Sequence, residues 1–175
     1  KFFGPQGGKL DDAWELNVES RLNDPVKFVG ARNIGKAKRL DDAAGRYIEF
    51  CKSTFPTGMD LRGLSLVVDA ANGAAYQVAP TLFKELGANV TIVGNSPDGL
   101  NINLECGATH PSTVSSAVIS SNADLGLALD GDADRHIMTD HVGGICNGDH
   151  LLYAIAKHRM QIGQHQSAGV VGTLM

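Results

Sequence analysis

Three aspartates spaced one residue apart are the part of this sequence most suited to chemistry. They are Asp130, Asp132 and Asp134, separated only by a glycine and an alanine. In an extended segment side chains alternate between two faces, so these three carboxylates can converge on one point. Like charges held so close repel unless a cation neutralises them, and an all-oxygen ligand set favours Mg²⁺ ahead of Ca²⁺. We therefore interpret the three aspartates as Mg²⁺ ligands.

Arg135 follows the third aspartate directly. Its guanidinium is permanently charged and presents a planar fork of donors, which is the arrangement that binds phosphate well. A metal site with an arginine beside it therefore predicts a phosphorylated substrate. In this interpretation Arg135 has both a catalytic and a substrate-binding role.

Other interpretations of the acidic run are possible. The simplest is a solvated acidic turn within a hairpin. A calcium-binding helix–loop–helix would match the three aspartates, but it requires glycine where Arg135 stands and glutamate where His141 stands. A phosphatase with an aspartyl nucleophile also has Asp-x-Asp after a strand, but it does not ask for a third aspartate and an arginine.

Cysteines and histidines later in the chain raise the alternative of a zinc site. Their spacings are irregular, and structural zinc sites usually contain a close cysteine pair, so we do not favour it. The residues concerned are Cys106, His110, His141, Cys146 and His150.

The elements around the acidic run predict an α/β fold. Apolar runs at residues 64–68, 90–93 and 124–129 alternate with helical patterns, which indicates parallel strands joined by right-handed crossovers. The strand expected at 136–140 returns antiparallel, which makes the sheet mixed but mainly parallel, with flanking helices. Asp69 also ends a strand, but it lacks acidic neighbours, so we interpret residues 69–73 as a turn with a polar contact to a neighbouring loop.

The chain divides into three predicted parts. Residues 1–38 form the tail of a first domain and a linker, with one helix capped by Asp11. Residues 39–163 form the α/β domain, and residues 164–175 begin the next domain with a strand. The last helix of the α/β domain is expected to be capped by Asn147. Its apolar residues are expected to face inward, namely Leu151, Leu152, Ile155 and Ala156.

Composition limits the function classes. The 175 residues are 43% hydrophobic and 19% charged, with a formal net charge of −4, which gives no reason to expect nucleic acid or a membrane surface as partner. Three cysteines are too few for a disulfide framework, so a cytoplasmic location is expected. The first residue is lysine, and the opening resembles the middle of a longer chain.

Several segments, taken in order, resemble the α-D-phosphohexomutases, enzymes that move a phosphoryl group between O6 and O1 of a hexose. The acidic run is similar to their metal loop, with Ala133 where glycine is more common. The resemblance is strongest to the bacterial branch that acts on glucosamine phosphates. The segments that carry it are residues 44–52, 68–74, 98–103, 106–111 and 171–175.

The resemblance implies a Mg²⁺-dependent interconversion of glucosamine 6-phosphate and glucosamine 1-phosphate, through a phosphoserine enzyme and a bisphosphate intermediate. It places the serine outside this sequence, which would span the end of domain 1, domain 2 and the start of domain 3, and it makes Lys1 a candidate general acid/base. The partners implied are a phosphorylated hexosamine and the remaining domains. Two alternatives stay open: a phosphomannomutase or phosphoglucomutase of the same superfamily, and, for this chain alone, a non-catalytic cation-binding domain.

Overall fold

The computed structural model describes residues 3–164 and 169–172, and the chain divides into two compact units, Lys1–Arg39 and Leu40–Met175. In the first unit, helix α1 spans Asp12–Arg21, and the Asp11 side chain accepts a hydrogen bond from the Trp14 N–H, as a cap should. No residue of α1 is buried. A short 3₁₀ turn at Ala31–Asn33 is the other helical element described in this unit.

The second unit contains a five-stranded sheet flanked by helices, and the mixed α/β class predicted from the sequence is confirmed. In chain order the elements are α2 (Ala43–Ser53), β1 (Ser65–Asp69), α3 (Val78–Glu85), β2 (Asn89–Val93), α4 (Pro111–Ser121), β3 (Leu125–Leu129), β4 (His136–Thr139), β5 (Ile145–Cys146) and α5 (Gly148–Gln161). The order of the strands across the sheet is β2-β1-β3-β4-β5. Strands β1, β2 and β3 are parallel, and β4 runs antiparallel to β3, as expected for the return after the acidic run. Strand β5 pairs antiparallel with β4.

The core lies on both faces of the three parallel strands. On one face Val67 of β1 packs with Val114 and Val118 of α4, all three fully buried. On the other face Leu66 and Val68, which lie on either side of Val67 in β1, pack with α3. Burying a valine side chain stabilises a fold by about 1.5–3 kcal/mol, so these contacts fix the parallel strands firmly. The ends of β1 and β3, where the acidic residues lie, are therefore held in place.

Helix ends follow the sequence signals closely. Pro111 occupies the first turn of α4, and Asn122 ends that helix in the left-handed conformation with φ of 50°. At α5, the Asn147 side chain accepts from the His150 N–H and the His150 ring accepts from the Asn147 N–H, which makes a capping box. The predicted role of Asn147 as a helix cap is confirmed.

One prediction about packing is wrong, and one short strand was not predicted. No residue of α5 is fully buried. Leu151 and Ala156 are half-buried, but Leu152 and Ile155 are exposed, because periodicity creates an apolar stripe but does not supply a surface to cover it. Residues 169–172, expected to begin a strand, have no regular secondary structure, and the rest of that predicted strand lies outside the described residues, so the strand stays a prediction. The two-residue strand β5 was not predicted, because so short a segment has no periodicity to detect. Among the described helices, none is both long and apolar enough to cross a membrane.

Candidate metal and phosphate site

The acidic run forms a turn that closes on its first residue. Asp130 follows β3 directly, and its side chain is only 5% exposed. Its Oδ1 accepts from the backbone N–H of Asp134 (3.1 Å) and of Arg135 (3.2 Å), and its Oδ2 accepts from Arg135 Nε (2.8 Å). The Asp130 N–H donates to the Arg135 carbonyl at 3.2 Å. One buried carboxylate therefore fixes the shape of the whole turn.

The three aspartates do come together, although by a different geometry from the one predicted. Ala133 has φ of 60° and donates its N–H to the Asp130 carbonyl, so the backbone curls instead of staying extended. One carboxylate oxygen from each of Asp130, Asp132 and Asp134 lies within 4.8 Å of the others. Strand alternation is therefore the wrong explanation, because the turn produces the convergence.

The donor set fits a hard divalent cation. It consists of three carboxylates, with Asp130 buried at the base and the side chains of Asp132 and Asp134 exposed. Each carboxylate oxygen has two lone-pair positions, so Asp130 can bind an ion while it keeps its hydrogen bonds to the turn. The exposed pair leaves room for the water ligands that Mg²⁺ retains.

Arg135 lies against the carboxylates of this turn. Its side chain is 79% exposed, and its Nε is 2.8 Å from Asp130 Oδ2 and 3.7 Å from Asp134 Oδ1. Burial acts to raise the pKa of Asp130, but hydrogen bonds and charge from Arg135 outweigh it, so that pKa lies below its usual value. The same hydrogen bond to Asp130 raises the pKa of Arg135. Both groups are therefore charged near neutral pH.

A second buried aspartate ends the neighbouring strand β1 and has a different role. Asp69 is fully buried, and its two oxygens accept from the N–H groups of Ala71 (2.9 Å) and Gly107 (2.7 Å). The contact to Gly107 spans 38 residues of sequence. The predicted polar contact between this turn and a neighbouring loop is confirmed.

The turn after β1 also contacts the metal loop, which we define as residues 130–135. Ala74 donates its N–H to the Gly131 carbonyl at 2.8 Å. A Cβ atom at Gly73 would overlap that same carbonyl oxygen, so the two turns can approach this closely only with glycine there. Asn72 extends the network, because its Oδ1 accepts from the Ser96 N–H at 2.9 Å.

The structure also bears on the alternatives and on Lys1. The acidic run joins two strands, so it is not the loop of a calcium-binding helix–loop–helix. Among the described residues, the cysteines and histidines of the zinc alternative form no cluster that could hold a metal ion. Burial, followed by the nearby charge of Asp69, raises the pKa of the Cys106 thiol, which makes it less reactive. Lys1 lies outside the described residues, so its role stays a prediction.

Comparison with known proteins agrees with this architecture. Residues 45–143 match the family described as phosphoglucomutase/phosphomannomutase, alpha/beta/alpha domain II. The chain is 57% identical over 175 residues to phosphoglucosamine mutase of Methylobacillus flagellatus and 59% identical to that of Variovorax paradoxus. A solved phosphoglucomutase/phosphomannomutase family protein from Burkholderia thailandensis superposes with a TM-score of 0.65 at 27% identity, over 88% of this chain and 33% of that one.

The chain belongs to the phosphoglucomutase/phosphomannomutase family, whose alpha/beta/alpha domain II it contains. Its two named phosphoglucosamine mutase relatives match along its whole length, but the chain spans only 38% and 39% of theirs. The predicted resemblance to the phosphohexomutases, and to the glucosamine branch in particular, is confirmed.

Proposed function

We propose that this chain is the metal-binding part of a phosphoglucosamine mutase that interconverts glucosamine 6-phosphate and glucosamine 1-phosphate. The observation that carries the proposal is the cluster of three carboxylates with Arg135 beside it, at the carboxyl end of a parallel strand. Ligand sites of open α/β sheets lie beyond such strand ends. The names of relatives above 50% identity support the choice of sugar.

In this proposal Asp130, Asp132 and Asp134 hold Mg²⁺. The bound ion would neutralise charge on the phosphoryl group as it moves between a serine outside this chain and the two sugar oxygens. Arg135 stabilises the same phosphoryl group with its charge and its remaining donors. Lys1 acts as a general acid/base. The buried Asp130 anchors the turn, so that both the ligands and the arginine keep their positions when the group transfers.

The proposal also covers the intermediates of the reaction, the partners of the chain and its location. The reaction passes through a phosphoserine enzyme and a bisphosphate intermediate, and it needs the remaining domains of the longer protein. The partners are therefore those domains and a phosphorylated hexosamine, without nucleic acid or membrane, in the cytoplasm. Amino-sugar phosphates of this kind are consumed in making cell-wall precursors, which gives the reaction its place in metabolism.

Calorimetric titration of the chain with Mg²⁺ or Mn²⁺ tests the metal site. Wild-type chain should bind one ion weakly, because the phosphoseryl ligand is outside it, and Asp132→Asn should bind more weakly still. The substituted side chain is exposed, so the fold should be unchanged. Equal heats from the two proteins would place the ion elsewhere and remove the basis of the proposal.

A coupled enzymatic assay tests the reaction. The 175-residue chain alone should not convert glucosamine 6-phosphate, even with added bisphosphate, whereas the full-length protein should. Comparing the kcat/KM of the full-length protein for glucosamine, mannose and glucose 6-phosphates separates the proposed activity from that of a phosphomannomutase or phosphoglucomutase. Turnover by the purified chain alone would contradict the proposed mechanism, because it would require a nucleophile within these residues.

A further inference from the structure

The loop between β2 and α4 has a side chain packed against the metal loop. Gly131 lies between the first two aspartates, and a Cβ atom built on it would be 2.9 Å from Asn103 Nδ2 and 2.7 Å from Ile102 Cδ1. Both distances are shorter than ordinary van der Waals contact. The Asn103 carboxamide therefore occupies, together with Ile102, the space that a side chain at Gly131 would need.

The backbone of Asn103 is itself held in an unusual conformation. It has φ of 58°, in the left-handed region, and its N–H donates to the Ala71 carbonyl at 2.8 Å. Ala71 belongs to the turn after β1, whose Ala74 holds the Gly131 carbonyl. The turn after β1 thus holds Gly131 in two ways. Ala74 donates a hydrogen bond to it, and Ala71 accepts a hydrogen bond from Asn103, which lies beside it.

The Asn103 side chain is also incompletely satisfied. Its Oδ1 is buried and has no hydrogen-bond partner among the residues that the structure describes. Buried polar atoms are nearly always paired, so a carboxamide that served only to fill space would be an unfavourable choice at this position. We therefore expect that Asn103 is kept at this position because the metal loop needs its side chain, and not for the stability of the fold.

We propose that Asn103 is a positioning residue of the metal loop, which sets the spacing of the Asp130 and Asp132 carboxylates through its packing on Gly131. The inference rests on the proposed function, since it concerns the same metal. Asn103 does not ligate the ion. It acts on the affinity of the ligand set by restricting the loop to the arrangement in which the carboxylates converge.

Mn²⁺ binding to the 175-residue chain, followed by the EPR signal of the free ion, tests this role without any enzymatic activity. Asn103→Gly removes the carboxamide and keeps a residue that tolerates the left-handed conformation. Its Mn²⁺ affinity should fall by about 10–100-fold, the loss typical of a residue that orients metal ligands. Asn122→Gly is the matched control, because Asn122 has φ of 50° at the end of α4 and should bind Mn²⁺ like the wild type.

Asn103→Asp is a second variant. Aspartate has the same shape as asparagine and also tolerates the left-handed backbone conformation. It places an oxygen where Nδ2 contacts Gly131, so repulsion from the neighbouring carboxylates should disturb the loop and weaken Mn²⁺ binding. If Asn103 has no positioning role, the added negative charge would leave the affinity unchanged or increase it, and either result would overturn the inference. So would wild-type affinity in Asn103→Gly. Failure of the wild-type chain to bind Mn²⁺ at the metal loop would instead contradict the proposed function.

Discussion

Asp69 and Asp130 are the same residue type in equivalent places, yet their surroundings give them different roles. Asp69 is the last residue of β1, Asp130 comes directly after β3, and these two parallel strands are neighbours. Both carboxylates are buried and both accept backbone N–H groups. Asp69 uses its two oxygens to join its own turn to a loop 38 residues away. Asp130 closes a local turn that brings two more aspartates and Arg135 beside it.

The difference shows that a buried carboxylate at a strand end does not by itself identify a functional site. The hydrogen bonds of Asp69 go entirely to protein backbone groups, which is a structural role. The Asp130 turn instead brings one carboxylate oxygen from each of three aspartates within 4.8 Å of one another, with Arg135 beside them, which is a ligand set that a divalent cation can use. The neighbours of the carboxylate, rather than the carboxylate, distinguish the two turns.

Removing Arg135 should produce the largest effect, a loss of kcat. The substitution tests whether the arginine beside Asp130, which Asp69 lacks in the described part of the chain, gives the Asp130 turn its proposed role. In the full-length protein, Arg135→Ala should lower kcat by roughly 10²–10³-fold, as expected for losing a preorganised contact to the transferring group. Asp134→Ala removes a proposed metal ligand instead, so part of its activity should return at high Mg²⁺. The measurement is kcat as a function of Mg²⁺ concentration for both variants.

Extra Mg²⁺ should not restore Arg135→Ala, because the lost contact is a directed set of hydrogen bonds rather than a bound ion. If high Mg²⁺ rescues Arg135→Ala as fully as Asp134→Ala, Arg135 only shapes the metal loop. The division of roles between the two neighbours would then be wrong.

Substitution at the Asp69 turn should lower the stability of the fold, whereas substitution at the Asp130 turn should lower the affinity for metal. Asp69→Asn puts a donor group where the carboxylate accepts from two buried N–H groups, so the free energy of unfolding should fall by roughly 2–4 kcal/mol. Its Mn²⁺ affinity should not change, provided that the variant is folded. Asp132→Asn is the comparison: it should lower the affinity for Mn²⁺ and change stability by less than about 0.5 kcal/mol.

Urea unfolding and Mn²⁺ titration of both variants measure these quantities. A loss of metal affinity in folded Asp69→Asn comparable to that in Asp132→Asn would mean that the two turns act as one unit. The distinction between a structural and a ligating carboxylate would then not hold.

The smallest effect should be a change in how the free energy of unfolding depends on pH, and this change should be specific to the Asp130 turn. Arg135 keeps the pKa of Asp130 below its usual value of about 4. A carboxyl whose pKa is lower in the folded state stabilises the fold above the unfolded pKa, and this contribution is lost as pH falls through the folded pKa. Arg135→Gln should therefore be less stable than the wild type at pH 6, with the difference shrinking toward pH 3.

Solvent screening should keep this effect small, because most of the Arg135 side chain is exposed. Urea unfolding of both proteins at the two pH values measures it, and the ¹³C shift of the Asp130 carboxyl gives the pKa directly. An unchanged stability difference between pH 6 and pH 3 would show that Arg135 does not set the protonation of Asp130.

Much of this molecule could be predicted from local sequence. Asp11 and Asn147 are caps that act within three residues, and both helices begin where those residues predict. The apolar runs that end at Asp69 and Leu129 predict buried parallel strands, because burial on both faces requires continuous apolar sequence. The acidic run identifies its own candidate ligands, since all three aspartates and Arg135 lie within six residues.

Contacts between distant segments were decided by the tertiary structure alone. The sequence predicts a polar contact from the turn at Asp69 but does not identify Gly107 as the partner. It also does not indicate that Asn103 lies beside Gly131, because both contacts depend on how three loops meet at one end of the sheet. The apolar stripe of α5 is visible in the sequence, but its exposure is not, since periodicity describes a helix and not the surface it meets. Local patterns determine the helices, the strands and the candidate ligands, whereas the packing of the parallel strands determines which loops support those ligands.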